Sequence, residues 1–385
     1  MAIDEKHIFF LSASDRINYG DLLFPIIFKK MLEGSGYIFH NYGIVASDLK
    51  GFGALATDSY STMLSDIKKF NGKLVIGGGE VLFSEWEMLF GFISWPYARL
   101  NAIKFFSKVE RRLQIARRAL GGMAVVLPFS PLPKELHKPA LKIYYSSVGG
   151  QFYGDLSGAK NKAALKAIQA AALTSVRDQR SQDSLKSAGV SAELIPDSAL
   201  IMADYYPVET LKELSQLNPE IYRDPYIFVQ LGRYKGPEDL KAFSQRLITV
   251  SEQLGLKVLL CPIGLAPGHE DDIILKQLAD LHPDFKFVMP SSISDIMLLI
   301  ALSKLYLGTS LHGLITAQSY NVPHIPLNKD IKKAVSYLNT WVDSTLRAAD
   351  FTDDTYKNWP AALINENTGL QKEMVRKNLK HILND

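Results

Sequence analysis

His312 is the side chain of this sequence that is best placed to move a proton beside a bound anion. The apolar residues 305–307 predict a short buried strand, and Gly308 ends it before a helix predicted over 311–320. His312 therefore lies in the first helical turn, at the carboxyl end of a strand, where open parallel sheets bind ligands. An imidazole titrates near neutral pH and suits general acid–base chemistry. The alternative interpretation is a histidine that fills space at a strand–helix corner.

The backbone around this histidine favours an anion. Thr309 or Ser310 can cap the predicted helix, and the backbone N–H groups around Leu311 and Gly313 belong to its first turn. With the partial positive charge of the helix start, they attract a phosphate or a carboxylate. We therefore expect an anionic substrate beside His312.

Other residues with useful chemistry follow other predicted strands, and so fall on the same edge of a sheet. They are Gly77, Gly78, Gly79 and Glu80 after 73–76, Arg177 after 174–176, and Asp197 after 192–195. The glycine triplet lets a backbone approach a ligand closely, but it matches neither a GxGxxG motif nor a Walker loop. The planar fork of an arginine suits a phosphate or a carboxylate. The simpler interpretations are a tight turn for the glycine triplet, and surface ion pairs or turn positions for Arg177 and Asp197.

The amino-terminal part predicts a first βα unit. Residues 7–11 form the candidate strand, Asn18 and Gly20 lie in the loop, and Asp21 precedes a helix over 22–32. Asp21 is suited to cap that helix, and Asp21, Glu80 or Asp197 could complement His312 in proton transfer. The sequence does not rank these three carboxylates.

Length and composition predict a two-domain α/β protein. The chain has 385 residues, 47% hydrophobic and 22% charged, and alternating strand and helix patterns occur in two series. The expected domains are 1–205 and 226–385, with 206–225 as a linker and the last helix packing back on the first domain. Within the first domain, residues 122–127 predict a strand that ends at a proline-rich turn.

Several classes of protein are disfavoured by the composition. A net charge of +3 is too small to argue for nucleic-acid binding, and one cysteine, Cys261, excludes an internal disulfide. The charged start and the lack of a long apolar stretch predict a cytoplasmic protein without a secretory signal or a spanning helix. No metal-binding constellation is evident, although a loosely held Mg²⁺ remains open, and no cofactor is expected.

Residues 85–119 have an unusual composition. Aromatic side chains, Trp86 and Trp95 among them, are interleaved with many lysines and arginines. This pattern is typical of an interfacial segment that faces anionic lipid, and it predicts a peripheral contact with the inner membrane leaflet through both tryptophans. The alternative is a core helix pair with a solvated basic face.

The order and spacing of these motifs resemble the polysaccharide pyruvyl transferase family over most of the chain. The matching pieces are Asn18-Tyr19-Gly20-Asp21, 77–79, Ser175-Val176-Arg177-Asp178 with Ser181, 196–200, 308–313 with Ala317 and Pro323, and 329–332. The resemblance implies two Rossmann-like domains that face each other across a cleft, as in GT-B glycosyltransferases. It also implies transfer of the pyruvyl group of phosphoenolpyruvate to a sugar of a surface or exported glycan, or of its lipid-linked precursor, as a ketal.

The resemblance also implies roles for residues, with two departures. Arg177 and the loop of Ser310, Leu311 and Gly313 would bind the donor anion, His312 would serve acid–base chemistry, and Lys332 matches a lysine that follows the histidine loop. Many members have an arginine where this chain has Ser310, and Arg233, Lys329 or Lys332 would compensate for the missing cation. The second departure is that a glycine-rich turn of the family is replaced here by Pro128-Phe129-Ser130-Pro131. The alternatives are a nucleotide-sugar glycosyltransferase of similar architecture and an inactive carbohydrate- or lipid-binding relative.

Overall fold

The first half of the chain forms a six-stranded parallel sheet. The computed structural model describes residues 6–151, 158–266, 270–342, 351 and 368–385. The strand order is β2-β1-β3-β4-β5-β6, and all neighbouring strands are parallel. The strands are β1 Lys6–Leu11, β2 Tyr37–Tyr42, β3 Gly72–Gly77, β4 Lys142–Val148, β5 Leu173–Val176 and β6 Glu193–Leu194. The central strands are apolar on both faces because helices cover the sheet on both sides.

The second half forms a five-stranded parallel sheet in the order β11-β10-β7-β8-β9. Its strands are β7 Tyr226–Gln230, β8 Lys257–Leu260, β9 Phe285–Phe287, β10 Leu305–Gly308 and β11 His324–Pro326. Two parallel sheets with interleaved helices confirm the predicted two-domain α/β fold.

Helices connect the strands in both halves. In the first half they are α1 Tyr19–Leu32, α2 Tyr60–Lys69, α3 Trp86–Ile93, α4 Trp95–Asn101, α5 Lys104–Leu113, α6 Ile115–Ala119, α7 Ala159–Gln169 and α8 Gln179–Ser187. Next come α9 Met202–Tyr205, α10 Val208–Leu214, α11 Leu240–Leu254, α12 Asp271–Ala279, α13 Ile293–Leu302, α14 Leu311–Ser319, α15 Lys332–Trp341 and α16 Thr368–Asn384. Among the described helices, none combines the length and the apolar character that crossing a bilayer requires.

The connection between the two sheets is itself folded. It contains α10 and a short 3₁₀ turn at Pro219–Ile221, and α10 packs against α13. Leu211 of α10 is fully buried, so this segment contributes to the core as well as joining the sheets.

The carboxyl-terminal helix α16 returns to the first sheet. The hydroxyl of Tyr37 and the ammonium group of Lys73 each donate to the backbone oxygen of Leu383 at 2.8 Å. The hydroxyl of Tyr144 donates to the carboxylate of Asp385 at 2.7 Å. The chain thus crosses between the two halves a second time.

One apolar core runs through both halves. The cluster that contains Phe10 of β1 also contains Phe228 of β7, with α1 and α14 between the two sheets. At the centre, the hydroxyls of Tyr19 and Thr316 form a 2.8 Å hydrogen bond. The two sheets are therefore joined by buried packing as well as by the chain.

The predicted strand over 122–127 is wrong. Residues 122–127 form irregular structure, in which Val125 accepts a hydrogen bond from the indole of Trp86 at 3.3 Å. The strand of this region is β4, and it is followed by Gly149 and Gly150. A glycine pair thus stands after the strand, whereas residues 128–131 follow irregular structure and not a strand.

The segment 85–119 forms four short helices, α3 to α6, and its two tryptophans have different environments. Trp86 is only 2% exposed and contacts Tyr60 edge to face with ring centroids 4.9 Å apart. Trp95 is 52% exposed. The prediction that Trp86 faces a membrane is therefore wrong, because its indole fills the core of the first half.

Candidate functional site

A cavity of about 290 Å³ opens between the two sheets. Both sheets direct the carboxyl ends of their strands toward it, as expected of ligand sites in parallel sheets. The first half contributes Ala13, Arg16, Asn18, Asp21, Gly79, Glu80, Val81, Ser84, Met88, Leu89, Phe92, Phe129 and Arg177. The second half contributes Gln230, Gly232, Lys235, Ile263, Gly264, Ala266, Asp271, Thr309, Ser310, Leu311, His312 and Lys333.

His312 is paired with a buried carboxylate. Its Nε2 atom lies 3.6 Å from Oδ2 of Asp197, and the other oxygen of Asp197 accepts the backbone N–H of Ala199 at 3.0 Å. Burial opposes ionisation of Asp197, but His312 and Arg177 outweigh it and lower the pKa of this carboxyl. Asp197 is therefore an anion that lies behind the imidazole and orients it.

Arg177 holds two carboxylates. One guanidinium nitrogen donates to Asp197 at 3.0 Å and another to Glu80 at 2.9 Å, and the side chain is only 1% exposed. Its Nε atom faces Gly149, where an added Cβ would lie 2.8 Å away. The planar fork of Arg177 therefore positions Asp197 behind His312.

Glu80 is engaged by two guanidinium groups. It accepts hydrogen bonds from Arg177 and Arg180. Burial works against its ionisation, yet Arg177, Arg180 and Lys333 together lower the pKa of Glu80. Because its charge is already neutralised, Glu80 is poorly suited to exchange protons near neutral pH, and the geometry gives it the role of fixing Arg177.

Gly20 makes room for the imidazole. A Cβ atom at this position would lie 1.8 Å from Nδ1 of His312 and 2.1 Å from its Cγ, so no side chain fits. Phe24, one turn further along α1, contacts the same ring edge to face with centroids 5.3 Å apart. The first half of the chain thus shapes the pocket in which the histidine of the second half sits.

The glycine triplet lies beside α1. Gly78 and Gly79 have φ angles of +57° and +71°, which glycine adopts without strain. A Cβ at Gly78 would lie 2.3 Å from the ring of Phe24, and one at Gly77 would lie 2.0 Å from that of Phe10. Only Gly79 of the three lines the cavity, so the triplet serves close packing as well as the site.

Asn18 and Asp21 form a short polar pair at the cavity wall. The amide of Asn18 donates to Asp21 at 2.6 Å, and Asn18 makes no side-chain cap on α1. A Cβ at Gly79 would lie 3.3 Å from the second oxygen of Asp21. Asp21 is therefore available as a carboxylate at the site rather than as a helix cap.

Two lysines face the cavity without a hydrogen-bond or ion-pair partner among the described residues. Burial, together with the positive charges of Lys235 and Arg177, lowers the pKa of Lys333 to about 8 against the opposing effect of Glu80 and Asp21. Burial also lowers the pKa of Lys235. Two mutually repelling cations in an enclosed space, neither of them in an ion pair among the described residues, favour an anionic ligand.

Asp271 adds a second unusual carboxyl group. Its Oδ2 accepts the amide of Gln230 at 2.8 Å and the backbone N–H groups of Gly264 and Ile263 at 2.9 and 3.2 Å. Burial raises the pKa of Asp271 to about 6, against the lowering effect of these hydrogen bonds and of Lys235. A carboxyl that titrates near 6 is suited to proton transfer.

The start of α14 is built as predicted, with one difference. Ser310 caps the helix by accepting the N–H of Gly313 at 3.4 Å, so this N–H is engaged and not directed at a ligand. A Cβ at Gly313 would lie 1.8 Å from the hydroxyl oxygen of Tyr306. Ser310 and Leu311 line the cavity, whereas Gly313 packs behind it.

The structure brings most of the predicted site residues together. Those that line the cavity are Asn18, Asp21, Gly79, Glu80, Arg177, Ser310, Leu311 and His312. Those directly behind it are Gly20, Gly77, Gly78, Asp197 and Gly313. Arg233, Lys329 and Lys332 are exposed and do not line it. Arg233 instead pairs with Glu270 at 2.6 Å.

Other functional candidates were missed at the level of sequence. Lys333 reaches the cavity although Lys332 was predicted, because neighbouring helical residues point about 100° apart. Asp271 stands between Glu270 and Asp272 in a run that is typical of an ordinary acidic helix start, and Lys235 and Arg16 belong to no recognised motif. In the described parts of the chain, no group of three or more histidine, cysteine or acidic residues could hold a metal ion.

The fold is similar to that of enzymes that act on nucleotide sugars. The structure aligns with UDP-GlcNAc 2-epimerase from Neisseria meningitidis bound to UDP-GlcNAc, at a TM-score of 0.53 and 11% identity, over 99% of this chain and 100% of that one. It aligns with the Methanocaldococcus jannaschii enzyme at a TM-score of 0.55 and 12% identity, over 97% and 99% of the two chains. At these identities the similarity establishes the GT-B-like fold and nothing more.

Sequence comparison identifies the family. No curated protein matches the chain significantly. The sequence model of the polysaccharide pyruvyl transferase family matches residues 18–330, which include all the residues that line the cavity except Ala13, Arg16 and Lys333, and the chain therefore belongs to that family.

Proposed function

We propose that the protein transfers the pyruvyl group of phosphoenolpyruvate to a sugar of a surface or exported glycan, or of its lipid-linked precursor, and forms a pyruvate ketal. The observation that carries this proposal is the arrangement of one cavity. It brings the His312–Asp197 pair into one cavity with two lysines, Lys235 and Lys333, whose side chains form no ion pair with any residue that the structure describes. Membership of the pyruvyl transferase family supports the same chemistry.

Lys235 and Lys333 would bind the anionic groups of the donor. Phosphoenolpyruvate carries a phosphate and a carboxylate, and each requires a fixed positive charge. The start of α14 adds a partial positive charge at Ser310 and Leu311, which line the same cavity. Arg177 would act indirectly, since two of its nitrogens already donate to Asp197 and Glu80.

Ketal formation requires one protonation of carbon and two attacks by hydroxyl groups. A proton adds to the methylene carbon of phosphoenolpyruvate, which becomes a methyl group and leaves an oxocarbenium centre at C2. One sugar hydroxyl attacks C2 and loses its proton, and phosphate leaves with cleavage of the C2–O bond. A second hydroxyl attacks C2 and closes the ring. Of the two hydroxyl protons, one balances the proton on the methyl group and the other leaves with phosphate.

His312 would move the proton in this sequence. Its Nε2 faces Asp197, which leaves Nδ1, on the side of Gly20, as the nitrogen that exchanges a proton with substrate. The carboxylate of Asp197, 3.6 Å from Nε2, would hold the ring in place while it donates a proton to the methylene carbon. Asp271, with a pKa of about 6, is the carboxyl best suited to accept the hydroxyl proton.

Donor binding can be tested without knowing the acceptor. We expect phosphoenolpyruvate to raise the melting temperature of the wild type, since a ligand at 100 times its dissociation constant stabilises a protein by about 2.7 kcal/mol. Lys333→Met should weaken this effect, whereas Lys332→Met, which removes the neighbouring exposed lysine, should not. Stabilisation by UDP-GlcNAc but not by phosphoenolpyruvate would refute the proposal and favour glycosyl transfer.

Turnover is tested with glycan acceptors. Phosphate release from phosphoenolpyruvate should depend on the acceptor and should fall by at least about 10²-fold in His312→Ala. A stoichiometric loss of phosphoenolpyruvate and gain of an acid-labile ketal on the glycan would identify the reaction. Near wild-type turnover of His312→Ala would remove this histidine from the mechanism, and stabilisation by phosphoenolpyruvate without turnover on any acceptor would favour an inactive relative.

A further inference from the structure

The helices α3 to α5 expose an apolar surface. Large side chains point outward from all three helices and their connections. Phe105 is 76% exposed, Ile103 54%, Trp95 52%, Leu100 46% and Phe92 41%. The inward-facing residues of the same segment, such as Leu89 and Tyr97, are buried, so the core is complete without the outer ones. Such a concentration of exposed apolar groups marks an interaction surface.

The same surface is strongly cationic. The side chains of Arg99, Lys104, Lys108, Arg111 and Arg112 are all exposed. The only acidic residue between 95 and 119 is Glu110, which is 2% exposed and accepts the backbone N–H of Ala116 at 3.0 Å. From residue 95 onward the outer face therefore carries positive charge without a compensating exposed carboxylate, and the two carboxylates at the start of α3, Glu85 and Glu87, are already paired with Lys160.

Apolar and cationic groups alternate at close range on this face. The guanidinium carbon of Arg99 lies 3.7 Å from the ring centroid of Trp95. On α5, Phe105 shares one helix face with Lys108 and Arg112, at spacings of three and seven residues. A surface that places aromatic rings beside cations matches the boundary between acyl chains and anionic headgroups.

The surface continues into the cavity. Met88 and Phe92 of α3 are exposed, and both also line the cavity that holds His312. The ring of Phe92 lies 5.3 Å from the guanidinium carbon of Arg16, another cavity residue. An occupant of the outer face therefore borders directly on the mouth of the site.

We propose that the outer face of α3 to α5 docks on an anionic phospholipid bilayer, with Trp95 and Phe105 entering the headgroup region. Docking in this orientation brings the cavity mouth to the membrane surface. A glycan carried by a lipid anchor then reaches His312 while its anchor stays in the bilayer. This last step rests on the proposed function, whereas the docking does not.

The salt dependence of binding follows from the charges. Attraction between exposed cations and an anionic surface is screened beyond about 8 Å at physiological ionic strength. Each lysine or arginine near such a surface contributes about fivefold in affinity, so removal of two should weaken binding by about 25-fold. Neutral bilayers should bind far more weakly.

Vesicle sedimentation tests the proposal. The full chain is incubated with phosphatidylcholine vesicles, or with vesicles that contain phosphatidylglycerol as well, at low and high salt. We expect binding to the anionic vesicles only, weakening with salt, and reduced in Trp95→Ser/Phe105→Ser and in Arg111→Gln/Arg112→Gln. Matched controls are Leu214→Ser/Leu370→Ser and Lys377→Gln/Lys380→Gln, which change exposed residues elsewhere and should bind like the wild type.

Three results would overturn the inference. They are a wild type that stays in solution with anionic vesicles at low salt, equal binding of variants and wild type, and equal losses in the control variants. Binding needs neither phosphoenolpyruvate nor an acceptor. Its failure therefore leaves the proposed function standing, and a failure of phosphoenolpyruvate to bind leaves the docking surface standing.

Discussion

Replacing Gly20 with alanine tests whether the first half of the chain positions His312. Gly20 is the second residue of α1, and its backbone does not lie in the left-handed region, so alanine suits the helix. The new Cβ, however, would lie 1.8 Å from Nδ1 of His312, whereas ordinary contacts begin at 3.4 Å. The ring and α1 must therefore separate by about 1.6 Å, the difference between these two distances.

The expected loss is mainly in catalysis. Displacement of a catalytic group by about 1 Å costs on the order of 10²-fold in rate, so we expect kcat to fall by at least that factor. Stability should change little, because overpacking costs about 1–3 kcal/mol and is offset by roughly 1 kcal/mol of improved helix propensity. The assays are steady-state kinetics of phosphate release and thermal unfolding of the same preparations.

The matched control is Gly369→Ala. Gly369 is also the second residue of a helix, α16, and a Cβ there meets nothing within 4 Å. This variant should keep full activity. A double variant, Gly20→Ala with His312→Ala, should be no slower than His312→Ala alone, since the displaced ring is gone. Wild-type kcat in Gly20→Ala, or a further loss in the double variant, would refute the reasoning.

Three further predictions concern charged groups at the cavity. Lys333, with a pKa of about 8, is charged at pH 7 and loses its charge toward pH 9, so phosphate binding measured by calorimetry should weaken over this range in the wild type but not in Lys333→Met. Arg177→Met removes a buried cation from two carboxylates, which leaves Glu80 with Arg180 alone and Asp197 with His312 alone, and urea unfolding should show a loss of about 3–5 kcal/mol. Unchanged stability with weaker phosphoenolpyruvate binding would instead make Arg177 a donor ligand. Asp271, with a pKa of about 6, ionises as pH rises, so kcat/KM should increase through pH 6. The increase of kcat/KM through pH 6 should be absent from Asp271→Asn. If the increase persists in this variant, another group is responsible for it.

The alternation of strands and helices could be predicted because each element carries its own periodic signal. The element β10–Gly308–α14 has a buried strand, a glycine and a serine cap in sequence order, and it folds as those local signals indicate. The strand β4 was missed because an apolar run is compatible with either a buried strand or a buried loop. Val125 and Leu127 are buried without belonging to a strand.

Part of the site was predictable because some of its residues lie in elements that carry local sequence signals. The position of His312 follows from local structure, but its partners come from distant segments, such as Asp197 and Gly20. The two carboxylates on Arg177 lie 97 and 20 residues away along the chain, and no local pattern encodes such pairings. Lys333 and Asp271 become notable only when burial changes their pKa, and burial at a cleft is a property of the assembled fold.

The core shared by the two sheets has a consequence for motion. Enzymes with two α/β lobes commonly open and close about a hinge, which requires a lobe interface that separates at little cost. Here Tyr19 and Thr316 are hydrogen-bonded inside an apolar cluster that spans both lobes, and α16 ties the second lobe to the first. Hinge opening would expose this core to water, so the lobes should move as one body during turnover. We expect substrates to enter past the exposed cavity residues of α3, Met88 and Phe92, so that the rate of product release responds to substitutions there and not in the connection over 206–225.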